Sequence, residues 1–408
     1  MRRRSTIAWM LLCLPGAAVA QDFQWHGYID ARLQSSSGDE NSWIDGGLGK
    51  TRFGADAGNA LQFGGAALVG TWQVTPSLLA VTDVQANAAT SPKIGLLDAY
   101  VRYRPVSTTP WRWSVKLGAF FPPISQENDG IAWTSRWTLT PSAIDTWVGE
   151  ELRTFGAEFR LEHRGNYGSF GFGLAAFRNN DPAGELLATR GWALGDVTSV
   201  LASRLREPDV LAGLVGSSAP LHFDPFTEND GRTGWHGDLT WDAPGGGKLS
   251  LLRYDNRADP ETFSTHGTHT VFSWHTRFWS LGGRWPVGDF ELLGQWIDGS
   301  TSFEPAPDFY LDSKFHAGYL LVGWNHGQWS PALRYDRFRI RQLPDFLPAP
   351  LSENGSAWTA ALNWRPKEWL RLTGELLRVD STRNQRLLEG LSPRQVETQA
   401  QLSLRLLF

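Results

Sequence analysis

Residues 23–34 read Phe-Gln-Trp-His-Gly-Tyr-Ile-Asp-Ala-Arg-Leu-Gln, and their alternation decides the fold. Phe23, Trp25, Gly27, Ile29, Ala31 and Leu33 share one face of an extended chain, while Gln24, His26, Tyr28, Asp30, Arg32 and Gln34 share the other. A period of two with one apolar and one polar face marks a strand lying between two different environments. The far end of the chain repeats the pattern. Leu406, Leu404, Leu402, Ala400, Thr398 and Val396 fall on one face, and Leu407, Arg405, Ser403, Gln401, Gln399 and Glu397 on the other.

Between these ends, short turns rich in Pro, Gly, Asn and Asp fall at 73–77, 104–110, 164–168, 242–247, 286–289, 325–328 and 365–368. They alternate with longer connections at 35–60, 89–94, 122–152, 179–233, 256–269, 299–313, 341–356 and 380–394. These connections join sixteen strands, with short turns at one end and long loops at the other. That layout predicts an all-β, antiparallel transmembrane β-barrel. A soluble sandwich would show strands of about 5–6 residues. Here runs such as Trp358-x-Ala360-x-Leu362-x-Trp364 and Leu370-x-Leu372-x-Gly374-x-Leu376 are longer, matching the roughly 9–11 residues of a tilted membrane strand.

Composition supports the same class. The 408 residues include 21 Trp against 22 Phe, more indole than a soluble core needs. Trp72, Trp111, Trp113, Trp241, Trp285, Trp329, Trp364 and Trp369 sit beside the short turns, as an interfacial aromatic girdle would. Mean hydropathy is −0.30 with no long apolar run after residue 20, which excludes helical spans. A net charge of −4 with 20% charged residues excludes a disordered or nucleic-acid-binding chain. Residues 1–20 read as a cleaved signal peptide: Arg2-Arg3-Arg4, an apolar stretch from Ile7 to Leu14, then Ala18-Val19-Ala20. The single cysteine, Cys13, lies inside it, so the barrel at 21–408 has no thiolate for metal or nucleophilic chemistry.

Two loops are too long to be passive connectors. The loop at 122–152 holds Glu127, Asp129, Trp133, Arg136, Trp137, Asp145, Trp147, Glu150 and Glu151, and is expected to fold inward as a pore constriction. The loop at 179–233 places Leu194, Val197, Val200, Leu201 and Leu205 at helical spacing and is expected to pack over the mouth.

At this point the chain resembles the sixteen-stranded outer-membrane porins of Gram-negative bacteria, most of all the phosphate-selective porin O/P type. The resemblance rests on the layout, on Gly118-Ala119-Phe120-Phe121-Pro122-Pro123-Ile124, and on Trp147-Val148-Gly149-Glu150-Glu151-Leu152-Arg153. The terminal Phe408 resembles the signal read by the barrel-insertion machinery. The resemblance implies a water-filled pore, a homotrimer, an outer-membrane lipid environment and no cofactor.

The wall charges depart from a phosphate channel. The expected lumen set is basic at Arg32, Arg102, Arg112, Lys116, Arg160, Arg277, Arg334, Arg371 and Arg405. It is acidic at Asp30, Asp98, Glu158, Glu162, Asp238, Glu291, Asp336, Glu375 and Glu397, a mixed wall rather than a cationic ladder. Other chemistry reads weakly. His266, His269 and His275 lack a nearby acidic ligand for zinc. His26, His163 and His236 have no serine motif beside them, and Glu150-Glu151, taken as opening a strand, point to opposite faces. Trp133, Trp137 and Trp147 with Tyr28 and Tyr100 read equally as an aromatic track for sugars or as anchors of the loop. The expectation is therefore a passive channel for small hydrophilic solutes, with acidic loop facing basic wall and a modest cation preference. A sugar or anion facilitator is the alternative, and a barrel enzyme the outlier.

Overall fold

The computed structural model describes residues 22–54, 59–214, 221–266, 269–344 and 351–408. The signal-peptide assignment lies outside these residues. Sixteen antiparallel strands close into a barrel. In chain order they are β1 (Asp22–Ser37), β2 (Ala60–Thr75), β3 (Leu78–Ala86), β4 (Ile94–Tyr103), β5 (Trp111–Phe120), β6 (Thr154–Gly165), β7 (Gly168–Arg178) and β8 (Gly234–Asp242). Then follow β9 (Lys248–Asp255), β10 (His275–Val287), β11 (Phe290–Ala306), β12 (Phe309–Trp324), β13 (Trp329–Leu343), β14 (Glu353–Lys367), β15 (Leu370–Arg383) and β16 (Arg394–Leu407).

The ring closes where the two diagnostic stretches meet. β1 pairs with β16 from Tyr28 opposite Leu407 to Ser37 opposite Thr398. The amide of Gly27 donates to the Phe408 carbonyl at 2.9 Å, extending the ladder to the last residue. Closure leaves no unpaired strand edge in a medium that cannot hydrogen-bond one.

The alternation has the expected polarity. Leu362, Leu402, Leu404 and Leu406 are 40–50% exposed on the outer wall, while Arg334, Gln401 and Arg405 face inward. Of the girdle tryptophans, Trp72, Trp111, Trp113, Trp285, Trp329, Trp364 and Trp369 are exposed near the short turns. No helix among the described residues is long and apolar enough to cross a membrane.

Three readings need correction. The segment 299–313 is not a loop: β11 runs to Ala306 and β12 starts at Phe309, with Ser300, Thr301 and Ser302 paired to Lys314, Ser313 and Asp312. Small polar residues mimic a turn, but here they are the rim of a hairpin that stands above the apolar band. The segment 256–269 contains half of a small separate hairpin, Phe263–His266 with His269–Phe272. Arg277 faces outward with Trp279 and Leu281, because β10 begins at His275 and places Phe278 and Ser280 inside. One residue of register moves a side chain to the other face.

Candidate functional site

The lumen holds its charged wall, and the connection between β5 and β6 folds into it. Pro122-Pro123 ends β5, since proline offers no amide for the ladder. The chain then lies against the inner wall, where β9, β11, β14 and β15 each contribute a specific hold. The Gln126 amide donates to Ser250 Oγ at 2.9 Å, Gln295 donates to the Ile124 carbonyl at 3.0 Å, and Asn363 donates to the Trp137 carbonyl at 2.8 Å. The Glu375 carboxylate accepts the amides of Leu139 and Thr140 at 2.6 and 3.1 Å.

The indoles anchor this loop. Trp137 is 1% exposed and rests on Gly323 of β12, where a Cβ would lie 2.4 Å from the ring, so only glycine admits it. Trp147 packs against Phe278 and Phe315, both at 5.3 Å. Trp133 is half-buried and stacks on Phe121 at 3.8 Å. Between the sugar-track and anchor readings, Trp137 and Trp147 fall to the anchor.

Part of the loop is a helix that the sequence reading missed, α1 (Ala143–Glu151), capped by Ser142 Oγ, which accepts the Asp145 amide at 3.2 Å. The signal was present: Ser142 three residues before Asp145, ahead of an apolar pair. Glu150 and Glu151 therefore end a helix rather than open a strand. Glu150 pairs with Arg190 at 2.5 Å, and Glu151 accepts the amides of Gly184 and Leu187 at 2.5 and 3.0 Å.

Those partners belong to the β7–β8 connection, 179–233, which also enters the barrel instead of capping it. Its α2 (Glu185–Thr189) is followed by an extended run, where the amide of Leu194 donates to the Lys50 carbonyl at 2.7 Å and Ser199 to the Gly149 carbonyl at 3.0 Å. The helical spacing of Leu194 to Leu205 is coincidental: Leu194, Val197, Val200 and Leu205 are buried in an extended segment surrounded on several sides. Asp196 bridges Arg32 and Arg52 at 2.6 and 2.7 Å. Burial opposes its charge, yet the two guanidiniums outweigh burial and hold the carboxyl well below the usual carboxylate range.

The remaining loop charges are engaged too. Glu127 accepts the Ser142 amide at 2.6 Å and an Arg334 bond at 3.1 Å. Asp129 pairs with Arg284 at 2.6 Å, and Arg136 pairs with Glu291. The expected field of a free acidic loop against a basic wall is thus not what the side chains form. Wall cations and loop carboxylates pair with each other and with main-chain groups, because a desolvated carboxylate without a partner is too costly.

Burial pushes several of these carboxyls up, Glu151 to about 8, and Asp145 is among the most affected. Its carboxyl is pushed well up by burial first and by neighbouring Glu127 second, with Ser125 and Arg334 opposing. A raised carboxyl pKa means the protonated form holds the loop, so its contribution is full below the ordinary carboxylate range and is lost as pH rises. Current fluctuations across a bilayer should therefore grow on the alkaline side, and Asp145→Asn should flatten that dependence. Fluctuations that grow toward acid pH would contradict the assignment.

Two spaces remain. Between the inserted segments and β1–β3 lies a cavity of about 20 Å³ lined by Tyr28, Gln85, Asn87, Trp133, Asp145 and Asp196. That is room for about one water. Toward the short turns, a cavity of about 100 Å³ is lined by Arg102, Arg104, Arg112, Lys116, Arg160, Glu158 and Glu162 on β4 to β6 and the turn after β4. Lys116 pairs with Glu158 at 3.1 Å and Arg160 with Asp238 at 2.9 Å. Arg102, Arg104 and Arg112 have no ion pair among the described residues. Arg104 was not in the expected set, since it follows a tyrosine at the start of a turn. Elsewhere Arg405 joins Asp30 at 2.8 Å, and Arg371 donates to Asn363 and to the Arg136 carbonyl. Asp98 and Glu397 also face inward, the latter accepting the Lys50 amide.

The fold is that of an outer-membrane porin. Solved structures similar to this chain include the outer-membrane channel DcaP of Acinetobacter baumannii, at 12% identity and a TM-score of 0.58, covering 98% of this chain and 100% of that one. An anion-selective porin from Comamonas acidovorans aligns at 12% identity and a TM-score of 0.53, covering 95% and 100%. OmpT of Vibrio cholerae, in a trimer form, aligns at 10% identity and a TM-score of 0.53, covering 96% and 100%. No protein-family model and no curated protein sequence matches the chain. The porin architecture extends over essentially the whole described barrel.

Proposed function

We propose that this chain is an outer-membrane porin that passes small hydrophilic solutes and favours anions. The observation that carries the preference is the trio Arg102, Arg104 and Arg112, without ion pairs among the described residues, lining a lumen cavity of about 100 Å³ on the short-turn side of the inserted loops. Fixed charge at a narrow, low-dielectric point concentrates the opposite ion, and at physiological salt its reach is about 8 Å. Of the loop acids that suggested cation preference, Glu127, Asp129 and Glu150 are paired with Arg334, Arg284 and Arg190, which weakens their opposition to it. The anion-selective porin among the structural neighbours is consistent with this reading, and the phosphate-selective O/P type is its finer form.

Residues 1–20 would direct export and be removed, Phe408 would serve as the insertion signal, and a homotrimer is the expected assembly. One of the neighbours is itself described as a trimer form. The constriction would comprise the 122–152 loop with residues 190–200 of the second inserted connection.

Reversal potentials in a salt gradient across a planar bilayer test the reading. The wild type should favour anions, and Arg102→Glu with Arg112→Glu should lower the anion-to-cation permeability ratio by about fivefold or more. Cation preference in the wild type, or no change in the double variant, would remove it.

A further inference from the structure

One part of the outer wall breaks the rule that lipid-facing positions are apolar. On the long-loop halves of β12 and β13 the outward residues are Lys314, His316, Arg337, Arg339 and Arg341, all exposed. They face one another across the pair: Lys314 is opposite Arg341, His316 opposite Arg339, and Gly318 opposite Arg337. Like charges directly across a ladder repel. None of these five makes an ion pair among the described residues, and Asp298 and Asp312 on the same face leave the cations in excess. Solvation alone does not explain so many like charges beside a hydrophobic band.

Directly below them the surface is hollow. Gly294 of β11 and Gly318 of β12 face outward without side chains, and a groove of about 710 Å³ opens between Leu281, Trp296, Leu320 and Tyr335. His316 and Arg337 line the same groove, so its apolar floor runs up to a cationic rim. A side chain at Gly294 would meet Leu320 at 2.9 Å, so the glycine keeps the groove open.

We propose that this is a binding site for a phosphorylated bilayer lipid. The phosphate would be held by Arg337, Arg339 and Arg341, and an acyl chain would lie along Leu281, Trp296 and Leu320. Planar guanidiniums suit phosphate oxygens, and they attract anionic headgroups near a membrane surface. The long-loop end of a porin fold faces the outer leaflet, so the cations stand at headgroup level there. The inference rests on the barrel spanning the outer membrane and not on what it conducts.

The test is titration of the full chain in neutral detergent micelles with fluorescent diphosphoryl lipid A, and with the same lipid stripped of phosphate. The phosphorylated lipid should bind about tenfold more tightly or better, and Arg337→Gln/Arg339→Gln/Arg341→Gln should remove that advantage. Gly318→Leu, which fills the groove while keeping the charges, should weaken both lipids. Equal binding of the two lipids, or an unaltered triple variant, would overturn the site. So would a change of oligomeric state in the triple variant on sedimentation, which would mark the patch as a contact between copies. Conductance and ion preference of the triple variant should match the wild type, because these side chains point away from the lumen. A failed lipid site is thereby separated from a failed channel.

Discussion

Replacing Arg334 by methionine should free the constriction loop from the wall at a cost of about 3–5 kcal/mol, the usual penalty for stranding a buried charge. Arg334 is fully buried on β13 and donates to Asp336 at 2.8 Å and Glu127 at 3.1 Å. It also donates to the carbonyls of Thr140 and Pro141 at 2.8 and 2.9 Å, so one guanidinium holds both the charge and the backbone of the loop. Removing it leaves Glu127 and Asp336 in a desolvated site without a cation. The barrel ladder is untouched, so the loss should be local. Single-channel currents should become larger and noisier, and a protease should reach 122–152. Adding Glu127→Gln to the variant should recover part of the loss by removing one stranded charge. A variant with wild-type conductance and protection would show that Trp137 and Trp147 hold the loop alone.

Leu402→Arg should destabilise the barrel by about 2–4 kcal/mol, against about 0–1 kcal/mol for Leu406→Arg. Both leucines are exposed on the outer wall of β16. Leu402 stands in the middle of the apolar run, opposite Leu33 on one side and Gly374 on the other. Leu406 is opposite Leu370, beside Trp369 and the short-turn girdle, where an arginine can reach the headgroups. Denaturant refolding into lipid vesicles measures the two directly. Equal costs at the two depths would mean that the apolar belt is displaced along the strands.

The exposed rim cations bear on the same belt. Arg337, Arg339 and Arg341 are tolerated because they lie beyond the apolar run of β13, which ends near Leu333 and Tyr335. Depth along the strand, more than residue type, decides what a lipid-facing position admits.

How much of this was legible beforehand follows from the range of the forces involved. Strand number, closure and polarity were readable because side chains alternate with every residue and lipid accepts only one of the two faces; residues 23–34 and 396–407 carry that rule on their own. Turn chemistry at 166–167, 288–289 and 325–328 is equally local. The alternation also marked Arg102, Arg112, Lys116 and Arg160 as inward, while Arg277 was misplaced because the start of β10 depends on the loop before it. What the constriction does with its charges was not readable. The partners of Glu127, Glu150 and Asp196 lie 207, 40 and 164 residues away, at Arg334, Arg190 and Arg32. Charge composition counts acids and bases but does not pair them. Only the tertiary structure, by burying both inserted loops inside the barrel, gives Glu127, Asp129 and Glu150 their cations and leaves Arg102, Arg104 and Arg112 outside any ion pair among the described residues, because a carboxylate taken out of water is costly without a partner.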